Sequence, residues 1–123
     1  MPNPLARLHV HVPMRTLIIA LILSLAAAAP AAAKPKIVNV GDDYFVRSGE
    51  PPTVKVTRGK TVQWKWVGSR DHNVAVVSGP MRFQSKLKRS GTFSRTPKVG
   101  VYKIVCSIHQ PDMAMTLRVR KPT

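Results

Sequence analysis

An all-β sandwich of seven to eight short strands is the fold this sequence predicts, and three observations predict it. Apolar and polar residues alternate through several short segments, and turns bearing glycine or proline separate those segments. No stretch of useful length repeats its apolar residues at the helical period.

Taken in order, Ile37-Val38-Asn39-Val40 is a first strand, and Gly41-Asp42-Asp43 a turn. Tyr44-Phe45 is an aromatic anchor before Ser48 to Pro52 breaks the chain. Thr53 to Thr57 alternates strictly, with Val54 and Val56 on one face. Arg58-Gly59-Lys60 reads as a hairpin turn, Gly59 supplying the backbone freedom. Thr61 to Val67 alternates again, putting Val62, Trp64 and Trp66 on a face whose simplest role is core packing. After the loop Gly68 to Asp71, His72 opens a strand that continues from Asn73 to Val77 and ends at Ser78-Gly79-Pro80. Met81 to Ser90 has no clear period and reads as irregular, with Lys86, Lys88 and Arg89 as its densest basic cluster. Gly91 to Thr96 and Val101 to Val105 are strands separated by Pro97 and Gly100. In the last strand Met115, Leu117 and Val119 alternate with Thr116, Arg118 and Arg120.

The chain of 123 residues divides into a leader, residues 1–33, and one domain, residues 34–123. Thr16 to Ala29 is apolar apart from Thr16 and Ser24, follows Arg7 and Arg15, and exits through Ala31-Ala32-Ala33. A basic start, an apolar middle and a small-residue exit make a secretory signal peptide. The alternative is a retained membrane anchor, but the run is short for a span of about 20 residues, and Pro30 interrupts it. Met14 is a second possible start, so His9 and His11 are given no functional role. The expected location is periplasmic or secreted. A single cysteine, Cys106, excludes an intrachain disulfide and leaves a lone thiol that metal ligation would protect.

Without Arg7 and Arg15 the chain has 18 basic and 5 acidic side chains, a net charge of +13. The basic residues are scattered along nearly every segment without a nucleic-acid-binding motif, so a cationic, soluble surface is the expectation.

The chemistry lies in Cys106-Ser107-Ile108-His109-Gln110-Pro111-Asp112-Met113. Thiolate and thioether are soft ligands and imidazole is intermediate, a set that suits copper better than calcium, magnesium or manganese. Strand parity places Tyr102, Ile104 and Cys106 on one inward face. His72, far upstream, is available to complete an N₂S plane with Cys106 and His109. A lone cysteine is ordinarily structural; a histidine three residues on and a methionine four beyond that change the reading. Met115 shares the register of Leu117 and Val119 and reads as core, leaving Met113 as the weak ligand.

These residues, together with His72-Asn73-Val74 and the Tyr102-to-Cys106 approach, resemble the cupredoxins, small blue copper proteins of the plastocyanin, amicyanin and pseudoazurin kind. The resemblance runs from about Ile37 to Val119 and implies a Greek-key β-sandwich. It implies one type 1 copper held by His72, Cys106 and His109, with Met113 as the long axial ligand. It also implies that Asn73 steadies the loop beside the thiolate. Gln110, Pro111 and Asp112 separate His109 from Met113, one residue fewer than in plastocyanin-like loops and one more than in amicyanin-like ones.

Protein atoms fill every coordination position in such a site, whereas a catalytic metal keeps one open. The expected function is therefore one-electron transport, not enzymatic turnover. The expected partner is an acidic redox protein such as a cytochrome or oxidoreductase, with the carrier itself a monomer. Copper delivery is the alternative, but the chain lacks the Met-rich or His-rich tracts that copper handlers often use.

Overall fold

The computed structural model describes residues 33–123; the predicted leader lies outside them apart from Ala33. Eight strands follow in order: β1 (Lys36–Gly41), β2 (Tyr44–Phe45), β3 (Thr53–Thr57), β4 (Val62–Trp66), β5 (Ala75–Ser78), β6 (Thr92–Arg95), β7 (Gly100–Val105) and β8 (Ala114–Arg120). They form two four-stranded sheets, ordered β2-β1-β4-β6 and β3-β8-β7-β5. Among the described residues there is no helix, and so none long and apolar enough to cross a membrane.

Alternation translates directly into burial. Val54 and Val56 of β3, Val62, Trp64 and Trp66 of β4, and Met115, Leu117 and Val119 of β8 are all buried, while Lys55, Lys65 and Arg118 between them are exposed. On β7, Tyr102 and Ile104 face the core and pair across to Leu117 and Met115 of β8. Trp64 is the centre of the aromatic packing, with ring centroids 5.8 Å from Phe83 and 5.9 Å from Phe93. Tilted contacts of this kind add roughly 0.5–1.5 kcal/mol each beyond the burial itself. The Tyr102 hydroxyl donates to the Lys98 carbonyl at 2.7 Å, and burial holds its phenol above the ordinary value.

The Arg58-Gly59-Lys60 turn does not close a hairpin. Gly59 adopts φ +92°, yet the chain crosses between sheets: β3 pairs in parallel with β8, and β4 in parallel with β1. The physical reason is the two apolar rows. Facing sheets bring Val54/Val56 and Val62/Trp64/Trp66 into one core from opposite sides, which a hairpin within one sheet cannot do.

Two further expectations shift. Strand β5 starts at Ala75 and not at His72. His72 makes an isolated bridge to Lys88, with reciprocal backbone bonds of 3.1 Å. Residues 81–90 contain no strand but are not loose: Phe83 and Ser85 are buried, and Val76 N–H donates to the Phe83 carbonyl at 3.1 Å. This segment lines the stretch His72–Val76 and fixes it against the core.

Candidate metal centre

Strand β7 ends at Val105, and Cys106 carries its inward parity one residue further, so the thiol is fully buried. The chain then turns back on itself through three backbone hydrogen bonds. His109 N–H donates to the Cys106 carbonyl (3.1 Å), Met113 N–H to the His109 carbonyl (3.0 Å), and Cys106 N–H to the Met113 carbonyl (3.1 Å). One residue later β8 begins. The loop thus leaves and re-enters the sheet between neighbouring strands, with the Met113 side chain fully buried at its foot.

His72 reaches the same place from the segment before β5. Its backbone is held by Lys88, and its carbonyl also accepts the Trp66 indole N–H at 3.1 Å. Lys88 in turn lies over the Trp66 ring, its ammonium 4.6 Å from the centroid, and bonds to the Thr92 carbonyl. A fully buried imidazole is therefore anchored on both sides of its backbone.

Cys106 Sγ lies 3.5 Å from His109 Nδ1 and 4.0 Å from His72 Nδ1. All three donor atoms fall within 4.8 Å of one another, and the two imidazole rings sit 5.0 Å apart, tilted by 45°. Bonds of about 2.3 Å to thiolate and 2.0–2.1 Å to imidazole, as zinc makes them, separate sulfur and nitrogen on one ion by roughly 3.6–3.8 Å. The spacing of these side chains brackets that value, so the three residues are positioned to ligate a single metal ion. The donor set of one thiolate and two imidazoles fits copper.

Two aspartates occupy the far side of the rings, and sequence reasoning assigned them only to a turn. Asp42 Oδ1 is 2.9 Å from His72 Nε2, and Asp43 Oδ1 is 3.4 Å from His109 Nε2. An ionised carboxylate only accepts, so the contact with Asp42 calls for a proton on His72 Nε2, and Nδ1 is the ring nitrogen that faces Sγ. Asp42 also accepts the Ser69 and Arg70 backbone N–H groups, each at 3.0 Å, and the Ser69 hydroxyl at 3.0 Å. The bond from His72, then the amides of Arg70 and Ser69, hold its carboxyl well below the usual carboxylate range. Asp43 adopts φ +73°, a left-handed conformation that aspartate tolerates better than most residues. Arg70 covers it from outside at 3.0 Å. Adjacent acids between Gly41 and Tyr44, in a chain with five acidic residues, were the one signal in the sequence.

Asn73 bridges the two halves of the cluster. Its Oδ1 accepts the Ser107 N–H at 2.7 Å and its Nδ2 donates to the Ser107 hydroxyl at 2.9 Å. Met115 is buried in register with Ile104, as its alternation predicts. Met81 Sδ accepts the Lys98 N–H at 3.4 Å, near the opposite end of β7 from Cys106. Lys88 and Arg89 stand at the metal end: Lys88 is bridged to His72, and Arg89 pairs with Asp71 at 3.0 Å.

No protein-family model matches the chain. Solved structures do. A copper-containing nitrite reductase from Thermus scotoductus SA-01 is similar over 79% of this chain, at 26% identity and a TM-score of 0.63; the chain spans only 25% of that protein's length. The oxidized form of a proline-to-glycine mutant of amicyanin is similar over 76% of this chain and 90% of its own, at 25% identity and a TM-score of 0.58. A reduced Cu(I) form of another amicyanin mutant, at 24% identity and a TM-score of 0.58, matches 74% of this chain and 87% of its own. Two mixed four-stranded sheets, matched along most of an amicyanin, enclose a thiol between two imidazoles at one end: the chain has the cupredoxin fold, and its His72, Cys106 and His109 fit a type 1 copper site.

Proposed function

We propose that the protein binds one copper ion through His72, Cys106 and His109, with Met113 as the weak axial ligand, and carries single electrons between redox partners. The observation that supports this reading most is the orientation of the imidazoles. Both Nδ1 atoms face one fully buried thiol while both Nε2 atoms face carboxylates. Copper bound there supplies a one-electron Cu(I)/Cu(II) couple.

The chain's part is to hold its donors still. His72 is fully buried and its backbone is doubly bridged, and the Cys106–Met113 loop closes on itself through hydrogen bonds. Side chains fixed this way meet both oxidation states with little rearrangement. Of the three donors only His109 has surface exposure, 30% of its side chain, so its ring edge is the exit for the electron. Ile108, 52% exposed, and Pro111 stand beside it as an apolar rim. The leader over residues 1–33 directs the domain to the periplasm or the exterior, where the partner is an acidic redox protein.

Titration of the purified domain with Cu(II), followed by absorption, tests the assignment. One equivalent should produce an intense blue thiolate-to-copper band, and Cys106→Ser should lose it. Copper binding without that band, or a band that survives the substitution, would overturn the blue-site reading.

A further inference from the structure

We infer that the Asp42 carboxylate is a positioning residue for the metal centre: through its hydrogen bond from His72 it strengthens that imidazole as a ligand and favours the oxidized over the reduced ion. The inference rests on the copper reading above and goes beyond it, because it assigns a determinant of the redox potential to a residue that does not touch the metal.

Three observations carry it. The first is contact: Asp42 Oδ1 stands 2.9 Å from Nε2 of a fully buried imidazole. An Nε2–H shared with a carboxylate leaves more electron density on Nδ1 than one shared with a neutral acceptor, and so a more basic ligand. A better nitrogen donor stabilises Cu(II) more than the softer Cu(I).

The second is that the carboxylate is itself fixed. Ser69 N–H, Ser69 Oγ and Arg70 N–H all donate to it. It is not a mobile surface acid that happens to lie close.

The third is the room made for it. A Cβ on Gly68 would lie 2.7 Å from Asp42 Cγ and 2.8 Å from its backbone nitrogen, closer than real Cβ atoms come. Gly68 shows no left-handed backbone, so close approach accounts for glycine here, not conformation. Asp43 repeats the arrangement more loosely at the partly exposed ring, 3.4 Å from His109 Nε2 and shared with Arg70. Its effect should be the smaller one.

The test compares wild type, Asp42→Asn, Asp43→Asn and Gly68→Ala. Asparagine keeps the shape and an accepting oxygen while removing the charge. Asp42→Asn should bind Cu(II) about tenfold more weakly, at the low end of the effect of losing such a partner, with Cu(I) binding unchanged. A tenfold change in that ratio is about 59 mV for a one-electron couple, so the potential should rise by that amount. Asp43→Asn should move it less. Gly68→Ala, which displaces the carboxylate without deleting it, should move it in the same direction as Asp42→Asn. Pulsed EPR of the Cu(II) forms should show an altered remote-nitrogen coupling in Asp42→Asn.

A blue wild type together with an Asp42→Asn variant of unmoved potential and unmoved remote-nitrogen coupling overturns this inference alone. A wild type without the blue band overturns the copper reading first and this one with it. If the variants do not fold, long-range ¹H–¹⁵N spectra of wild-type apoprotein decide: the Nε2–H tautomer of His72 with an exchange-protected proton supports the inference, and the Nδ1–H tautomer overturns it.

Discussion

Asn73 holds Ser107 by two hydrogen bonds, one to its backbone N–H at 2.7 Å and one to its hydroxyl at 2.9 Å. These residues each neighbour a metal-facing side chain, His72 on one side and Cys106 on the other. The amide is thus a strap across the gap between two distant segments of chain. Asn73→Ala leaves the Ser107 N–H without its acceptor. The expected cost is about 1–3 kcal/mol, a fall in Tm on the order of 10 °C for a domain of this size. Calorimetry of the apoprotein reads this without interference from copper, and an unchanged Tm rules out the strap.

Met113 and Met115 are both fully buried, but they sit in different surroundings. Met115 pairs with Ile104 inside the sheet, whereas the Met113 backbone is bonded to both Cys106 and His109. Met113→Leu removes a sulfur while nearly conserving volume, and it should change the potential and visible spectrum strongly. Met115→Leu should leave both nearly unchanged. The opposite pattern reassigns the axial ligand to Met115.

Charge predicts the kinetics of partner encounter. At +13 for residues 34–123, association with an acidic cytochrome should be fast at low salt and slow as ions screen it. Stopped-flow electron transfer across an ionic-strength series measures the slope. Lys88 and Arg89 are at the metal end, but Lys88 is engaged with Trp66 and Thr92 and Arg89 with Asp71. Neutralising either should therefore lower the rate only modestly. A rate flat or rising with ionic strength removes steering as the role of the charge.

Tyr102 predicts an alkaline limit. Burial raises its phenol above the value of about 10 that it has in the unfolded chain. The unfolded state therefore releases this proton first, and the phenol's contribution to stability is fully present below about pH 10. It is lost as pH rises through the folded value. In urea titrations from neutral to strongly alkaline pH, wild type should lose stability more steeply than Tyr102→Phe. At neutral pH the variant should be weaker by about 1 kcal/mol, the worth of the bond to the Lys98 carbonyl. Parallel curves for the two proteins would reject the assignment.

Most of the sandwich is readable from alternation, because each strand buries one face and exposes the other. Val54/Val56, Val62/Trp64/Trp66 and Met115/Leu117/Val119 all point where their spacing says. Cys106 follows from the parity of Tyr102 and Ile104. What alternation cannot carry is which strand pairs with which, so the Gly59 turn read as a hairpin when it links opposite sheets. Nor does it reveal partners across a fold. Asp42 and His72 are thirty residues apart, and their contact exists only because β1 and β4 run side by side. Phe83 was hidden for another reason: a buried side chain on an irregular segment has no period to announce it.

The pairing of β8 has a consequence for how the molecule comes into being. This last strand is not an edge; it lies between β3, in parallel, and β7, antiparallel. Until Ala114–Arg120 is in place, β3 has no neighbour to zip onto and its sheet lacks a middle. Contacts this distant along the chain must await closure of a long loop, which slows assembly. In a polypeptide emerging from its amino end, all four strands of the β2-β1-β4-β6 sheet are present by Arg95, whereas the second sheet and the ligand pocket are completed together near the finish. Maturation is thereby ordered: the β3-β8-β7-β5 sheet closes last, and only with it comes the pocket that can receive an ion.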